Sequence, residues 1–496
     1  MFRYLRDATV LLLVVLFAGS CAIQKNPVTG KSRLLAYSWS QEVQIGQEVD
    51  QELMVQYGLY DDERVSEYVT EVSEVILAES HMRREDTDRQ FRETEFFFRV
   101  LDSPVVNAFA LPGGYVYVTR GLMVHLNNEA QLAVVIGHEI GHVAARHASQ
   151  RAFRQTLGQI AVIGGAVLGQ ELLGLPGESI LNLSSQAAQL IFLSYSRDAE
   201  RESDRLGVEY SARAGYAAEE GAAFFTSLKR MSEQSGQSIP TMLSSHPDPG
   251  EREKAIPQMA EEWAREGYEQ TIRNEERYFE MINGMIYGEN PREGFVDDGQ
   301  FVHPELAFRF PVPDQWQLIN QRNEVILLSG QQDAVMIFRI DGTSGTARES
   351  VQTFIGQEGI TVNSQSETRS SGEYAAYQAD VTIPQQQGNL RALIYAVEYD
   401  GRIYRYINYT LESKWDAYST VFSHVPEQFN QLTDRRILNI QPVRLDVVAA
   451  PRADTFRNLL PSSLPMDITP EELAIVNQVG LDEQIPAGRY LKIPVQ

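Results

Sequence analysis

The segment Val134–Ala148, VVIGHEIGHVAARHA, sets His138 and His142 four positions apart with Glu139 between them. The run is apolar and free of proline, which predicts a helix. Asn128 stands where an N-cap belongs, with Gln131 placed for a capping box. Residues four apart share a helix face, so the two imidazoles can hold one metal ion. Glu139 lies one step round, where it cannot share that ion usefully but can reach a water beside it. This is the HExxH arrangement, in which two imidazoles bind Zn²⁺ and the glutamate acts as general base. The chain has eight histidines in 496 residues, which makes a chance occurrence uncommon. Gly137 and Gly141 leave one flank of the helix thin and open to close packing. A catalytic zinc site also needs a third protein ligand and an open position.

Candidates for that ligand lie in SYSRDAERESDRLG, Ser194–Gly207. At 100° per residue Glu200 and Asp204 share a face, and Glu202 points nearly opposite with Leu206. Two options follow: Glu200 binds the metal with Asp204 beside it, or Glu202 binds alone. The first suits the habit of ligating histidines, which donate their second N–H to a carboxylate. Asp204 is then that partner, or a proton donor. Arg197, Arg201 and Arg205 alternate with the acids, so a salt-bridged surface helix is the plain alternative. His147 falls on the helix face opposite His138 and receives no metal role. His81, His125, His303 and His424 belong to no constellation and read as structural or exposed.

HEIGH, then ERESD some sixty residues on, then SHPDPGER at Ser245–Arg252, form an ordered set. With NPVTG at Asn26–Gly30, IGQEVDQEL at Ile45–Leu53 and NAFALPGGYVYVTRGL at Asn107–Leu122, the set resembles metallopeptidase family forty-eight. These are the gluzincins that include HtpX-like and BepA-like zinc peptidases, and the resemblance covers roughly residues 21–259. It implies one Zn²⁺ per chain, held by His138, His142 and Glu200, with Asp204 as the trailing acid. It implies a catalytic set of Glu139, Asp204 and His246. His246 would stabilise the oxyanion or fill the open position of the zinc in a resting state. Arg252 would hold a loop or pair with an acid near the site. The membrane helices of HtpX-like members have no counterpart in the sequence, which points to the exported branch.

The N-terminus carries Arg3 and Arg6, an apolar run at Ala8–Ala18, then Gly19-Ser20-Cys21. The run is too short to span a bilayer comfortably and reads as a signal peptide. Cys21 is the chain's single cysteine, so no intramolecular disulfide forms. Its place at the cut resembles a lipoprotein signal, with Cys21 as the lipid anchor and Ala22 favouring the outer membrane. The expected location is the periplasmic face of the outer membrane, or the periplasm. The formal net charge of −24 argues against nucleic acid as a partner.

The predicted fold class is α+β: a mainly helical zincin-type metallopeptidase domain with a small sheet, a β-rich α+β domain, and a short LysM-like C-terminal module. The expected boundaries are 1–20 for the signal peptide, 21–290 for the peptidase, 291–435 for the accessory domain and 436–496 for the tail. Helices are predicted at Ser40–Leu59, Asp62–Glu79, Asp198–Ala214 and Trp415–Leu432, and a buried or lid-like helical pair at Ile160–Leu175. The tail reading rests on Asn477, Pro486, Gly488 and Leu491, and a packing tail of similar pattern is its alternative. The function expected is a zinc metalloendopeptidase of the bacterial cell envelope, hydrolysing peptide bonds in unfolded or misassembled proteins. Tyr115–Thr119 is the expected edge strand for an extended substrate. The partners are protein or peptide substrates, the membrane through the N-terminal lipid, and peptidoglycan if the tail binds it. The alternatives are a chaperone-like or peptidoglycan-associated scaffold, and a cell-wall peptide hydrolase.

Overall fold

The computed structural model describes residues 22–154, 194–235, 241–247, 251–342, 345–385, 388–465 and 468–496. The expected signal peptide, Cys21 and the helical pair at Ile160–Leu175 lie outside them. The architecture is α+β, with helices and several sheets. The chain enters as a hairpin, β1 (Ala22–Lys25) against β2 (Ser32–Leu35). Helix α1 (Trp39–Gln56) starts at Ser38, which forms a closed capping box with Gln41, and Asp62 caps α2 (Glu63–Glu79).

Next comes a three-stranded sheet of β3 (Phe97–Leu101), β4 (Ala108–Leu111) and β5 (Tyr115–Thr119) in the order β3-β5-β4. β5 is therefore the central strand, hydrogen-bonded on both sides and buried along its length. The sequence had suggested β5 as an edge. The turn at Pro112–Gly114 instead folds β4 back along it, and β4 becomes an outer strand. Gly113 and Gly114 make that turn at φ +84° and +107°, and a Cβ on Gly113 would lie 2.5 Å from Cα of Val43 on α1.

Helix α3 (Glu129–Ala144) carries the HEIGH motif and is buried on every side. Asn128 caps it, its Oδ1 accepting from the Gln131 amide at 2.9 Å. Gln131 Oε1 takes the amide of Asn127 instead of Asn128, so the capping box is only half closed. Helix α4 (Arg197–Arg213) is capped by Ser196 and stopped by Gly215 at φ +87°. The two helices meet at glycines: a Cβ on Gly137 would lie 3.0 Å from Gly207 Cα. This backbone contact is what brings ERESD against HEIGH. Gly207→Ala places a methyl 2.8 Å from His138 N and 2.9 Å from Val134 O, backbone atoms that cannot rotate away. We expect a loss of about 1–3 kcal/mol in denaturant unfolding, together with weaker metal binding, because the helices must move apart. Helices α5 (Gly221–Ser235), α6 (Arg252–Arg265) and α7 (Glu275–Ile282) complete this half.

The following domain opens on the short strands β6 (Phe295–Asp297), β7 (Gln300–His303) and β8 (Phe308–Pro311). It is built on a seven-stranded antiparallel sheet of β9 (Gln317–Asn320), β10 (Glu324–Leu328), β11 (Ala334–Gly342), β12 (Thr361–Ser370), β13 (Tyr374–Ile383), β14 (Leu390–Tyr399) and β15 (Arg402–Leu411), in the order β12-β13-β14-β15-β11-β10-β9. One face packs under α8 (Ala347–Ile355) through Val351 and Phe354. The other packs under α9 (Trp415–Glu427) through Trp415, Phe422 and an aromatic cluster around Phe308 and Tyr404. Helix α9 ends five residues earlier than expected, because Asn430–Gln431 pairs with strand β8 (Phe308–Pro311).

The tail folds as strand β17 (Arg444–Ala449) against β20 (Tyr490–Val495), with α10 (Pro470–Val476) between them in sequence. Its Phe456, Leu473, Val476 and Leu491 join one hydrophobic cluster with residues of α3 such as Leu132 and Val135. Lys492 is fully buried and donates to the carbonyls of Val124 and Leu126 at 2.7 and 2.9 Å. These carbonyls sit just before the Asn128 cap, so the tail braces the entry to the metal helix.

Three histidines away from the site predict an acid sensitivity. Burial pushes His125 and His303 down to about 4, and burial with Arg84 pushes His81 down to about 3. Arg84 donates to His81 Nε2 at 2.7 Å, which requires a neutral ring. Between pH 6.5 and 4 the unfolded chain binds these protons first, so stability falls as the pH drops through that window. Urea midpoints at pH 7 and pH 4.5 test this, and His303→Asn should flatten the slope.

Candidate metal centre

His138 and His142 project from α3, Glu200 from the first turn of α4, and His246 from the residue after the short helix Thr241–Ser245. All four are buried, and one ligand atom from each lies within 4.8 Å of all the others. His142 Nε2 is 3.0 Å from His138 Nε2, which is 3.3 Å from His246 Nδ1, itself 3.2 Å from Glu200 Oε1. Glu200 also approaches the two α3 histidines at 3.4 and 3.5 Å. Four donors around a zinc ion at roughly 2.1 Å would stand about 3.4 Å apart. Three imidazole nitrogens and a carboxylate oxygen are the chemistry zinc takes, so the donor set fits that ion in size and kind. The electrostatics agree. Burial works against a charge on His138, yet Asp204 and Glu200 push it up to about 10, so the pocket favours a cation at this point. Burial would raise Glu200, but His246, His138 and His142 hold it well below the usual carboxylate range. His142, by contrast, is pushed well down by burial, as a neutral ligand requires.

A second layer holds these groups. Asp204 Oδ1 lies 2.9 Å from His138 Nδ1. Arg252, at the start of α6, donates Nε to Asp204 Oδ2 at 2.8 Å and a terminal nitrogen to Glu200, and reaches the His246 carbonyl at 3.4 Å. One guanidinium thus ties both α4 acids to the His246 loop. Tyr195 stacks on the His142 ring at 4.0 Å and 21°, and its amide bonds to the carbonyl of Ser245. It lines a narrow gap beside His142 with Ala110, Leu111 and Pro112 from the end of β4.

Glu139 is fully buried, and neither carboxylate oxygen has a hydrogen-bond partner within the described protein. His246 Nε2 lies 3.6 Å from Glu139 Oε1. Burial pushes the Glu139 pKa up, against His246 and His138. An isolated buried carboxylate is costly unless a partner arrives during function.

Of the residues singled out in the sequence, His138, Glu139, His142, Glu200, Asp204, His246 and Arg252 gather here, and Cys21 lies outside the described residues. Of the two α4 options, Glu200 turns into the donor cluster and Glu202 turns away. His147 departs from its expected place. Helix α3 ends at Ala144, and Arg146 adopts φ +58°. The helical wheel therefore stops, and the chain folds His147 back until its Nδ1 is 2.9 Å from His142 Nδ1. Sequence reasoning missed that contact and Tyr195. The first has no local signal, because Glu42 and Gln24, distant in sequence, hold the reversal at Arg146. A tyrosine two residues before α4 carries none either.

Residues 70–260 match the family model of peptidase family M48. The chain is 29% identical over 233 residues to the beta-barrel assembly-enhancing protease of Yersinia pestis, covering 46% of this chain and 45% of that protein. It is 28% identical over 248 residues to bovine mitochondrial metalloendopeptidase OMA1, covering 48% and 46%. It is 33% identical over 159 residues to the Arabidopsis thaliana OMA1, covering 32% and 30%. The chain thus spans less than half the length of each of these relatives. The solution structure of cyanobacterial PsbP from Synechocystis covers 27% of this chain and 91% of its own at 14% identity and a TM-score of 0.24, too slight a likeness to carry a shared fold. Two helices that meet at glycines to converge three histidines and a glutamate fall within the stretch that matches the model of peptidase family M48.

Proposed function

We propose that this chain is a zinc-dependent metalloendopeptidase of the bacterial cell envelope, acting on unfolded or misassembled envelope proteins. The observation that carries the reading is the unpartnered Glu139 carboxylate beside a converging His138–His142–Glu200 donor set. A binding scaffold has no need of that costly group. Zinc held by these three residues would polarise the scissile carbonyl and make water a better nucleophile. Glu139 takes the proton from the attacking water as the new C–O bond forms, and delivers it to the amide nitrogen as the C–N bond breaks. Asp204 orients His138 and keeps its proton on Nδ1. With zinc bound, His246 would supply a fourth donor, which corresponds to a closed state. When His246 withdraws, its N–H is placed to stabilise the developing oxyanion.

An extended substrate would pair with β4, the strand beside the gap that His142 and Tyr195 line. Backbone pairing has weak sequence preference and favours unfolded chains. The likeness to the Yersinia pestis beta-barrel assembly-enhancing protease supports a role in envelope protein quality control.

Anchoring through a lipid on Cys21 belongs to the same proposal. Among the described residues no helix is long and apolar enough to cross a membrane. The β1–β2 hairpin that follows Cys21 exposes Ile23 (73%) and Leu34 (52%), which are cross-strand neighbours, on its outer face. Its inner face is fixed to the end of α3, where Gln24 accepts from Arg146. An outward apolar pair suits a position against a membrane surface. The LysM-like reading of the tail, with peptidoglycan as partner, motivates the second candidate, a cell-wall peptide hydrolase. Asn477, one of the residues behind it, spends its side chain on Leu473 and Lys492 of the tail itself. That favours a packing role.

Incubating the purified protein with casein, with a folded and a denatured form of one test protein, and with purified peptidoglycan separates the readings. We expect cleavage of casein and of the denatured form alone. Equal cutting of both forms contradicts the substrate class, and release of muropeptides without casein cleavage contradicts the main reading.

A further inference from the structure

We propose that His147 and Glu202 form an outer chain that fixes the tautomer and orientation of His142, making both of them positioning residues of the metal centre. The proposal rests on the reading of His138, His142 and Glu200 as metal ligands. His142 turns Nε2 into the cluster, 3.0 Å from His138 Nε2, and Nδ1 outward, 2.9 Å from His147 Nδ1. An imidazole that offers Nε2 as a lone pair carries its proton on Nδ1. His147 Nδ1 accepts that proton's hydrogen bond, so His147 carries its own proton on Nε2. That nitrogen lies 3.2 Å from Glu202 Oε2, which accepts in turn. Each link dictates the next, from carboxylate to imidazole to imidazole to metal.

The arrangement gives the three acids of ERESD three places around one donor cluster. Glu200 enters the donor set, Asp204 stands directly behind His138, and Glu202 stands behind His142 through His147. The wheel argument placed Glu202 on the wrong side for a ligand. That same position suits it for this second layer, because the chain reverses at Arg146. Arg146 is held in its left-handed conformation by Glu42, Gln24 and the Tyr37 carbonyl. His147 is buried at 3% exposure, and the Glu202 side chain, at 25%, ends the chain at the solvent edge. Outer partners of this kind typically change metal affinity about 10–100-fold when removed.

The test is zinc affinity and zinc release to a chelator, measured on the full chain for the parent, His147→Leu, Glu202→Ala and His147→Gln. Glutamine can accept on its carbonyl and donate from its amide, so it replaces both links. We expect zinc held about 10–100-fold less tightly in His147→Leu and Glu202→Ala, and largely restored in His147→Gln. The visible absorption bands of the cobalt-substituted protein should shift in the first two and return in the third, which simple loss of packing does not produce. Glu202 is partly exposed, so Glu202→Ala keeps the test open if His147→Leu misfolds. A parent that binds zinc and cuts casein, with Glu202→Ala and His147→Leu as tight as the parent, overturns the relay alone. A parent that binds no zinc overturns the function proposed above, and the relay with it.

Discussion

Glu139→Gln should retain one zinc per chain and lose casein cleavage by about 10²–10⁴-fold. Glutamine matches the shape of the side chain but cannot take a proton from water at neutral pH. The effect should fall on kcat, because Glu139 contacts none of the donor atoms at bonding distance and its oxygens are otherwise unpartnered. Stability should not fall with activity. Among the described residues Glu139 is fully buried without a hydrogen-bonded partner, and burial raises its pKa, so a neutral amide lowers the desolvation cost in the metal-free protein. Steady-state kinetics with zinc analysis of the same sample, and thermal unfolding beside the parent, check both parts. Cleavage within a factor of about three of the parent would remove Glu139 from the mechanism.

Arg252→Met carries the largest expected cost in stability. Arg252 is buried at 3% exposure and bridges Glu200, Asp204 and the His246 carbonyl. Removing it leaves two buried carboxylates on adjacent turns of α4 with His138 alone between them. Breaking a buried pair in this way costs about 3–5 kcal/mol. The loss should be smaller in the zinc-loaded protein, because the ion also neutralises Glu200. Arg252→Lys keeps the charge but not the fork, and should recover only part of the loss. Urea unfolding of metal-free and zinc-loaded samples measures both differences. A loss below about 1 kcal/mol in the metal-free form would show that Glu200 and Asp204 are stabilised from elsewhere.

The donor cluster was readable from the sequence where its parts sit on regular elements. His138 and His142 are spaced by a helix turn, as are Glu200 and Asp204, and regular helices carry such spacings faithfully into space. His147 was misplaced because the reading continued the helix past Ala144, and the reversal at Arg146 depends on Glu42 and Gln24, more than a hundred residues away. β5 was misread as an edge for a related reason: alternation marks a strand but does not say which neighbours it has. In the accessory domain the apolar strands β11 (Ala334–Gly342), β14 (Leu390–Tyr399) and β15 (Arg402–Leu411) announced themselves. β12 (Thr361–Ser370) did not, because TVNSQSETRS lies on the sheet's outer edge with almost every side chain exposed. The bracing of α3 by Lys492 was also hidden, since a lysine near a C-terminus gives no hint that it will be buried against carbonyls of residues 124 and 126.

The proposed function requires that His138, His142 and Glu200 hold a zinc ion. The most direct measurement is zinc content per chain and casein cleavage in one preparation, before chelation, after it, and after zinc is returned. The expected result is one zinc per chain, activity lost with the metal, and activity regained with zinc but not with magnesium. Undiminished cleavage by the metal-free protein, or a purified chain that binds no zinc, would contradict it.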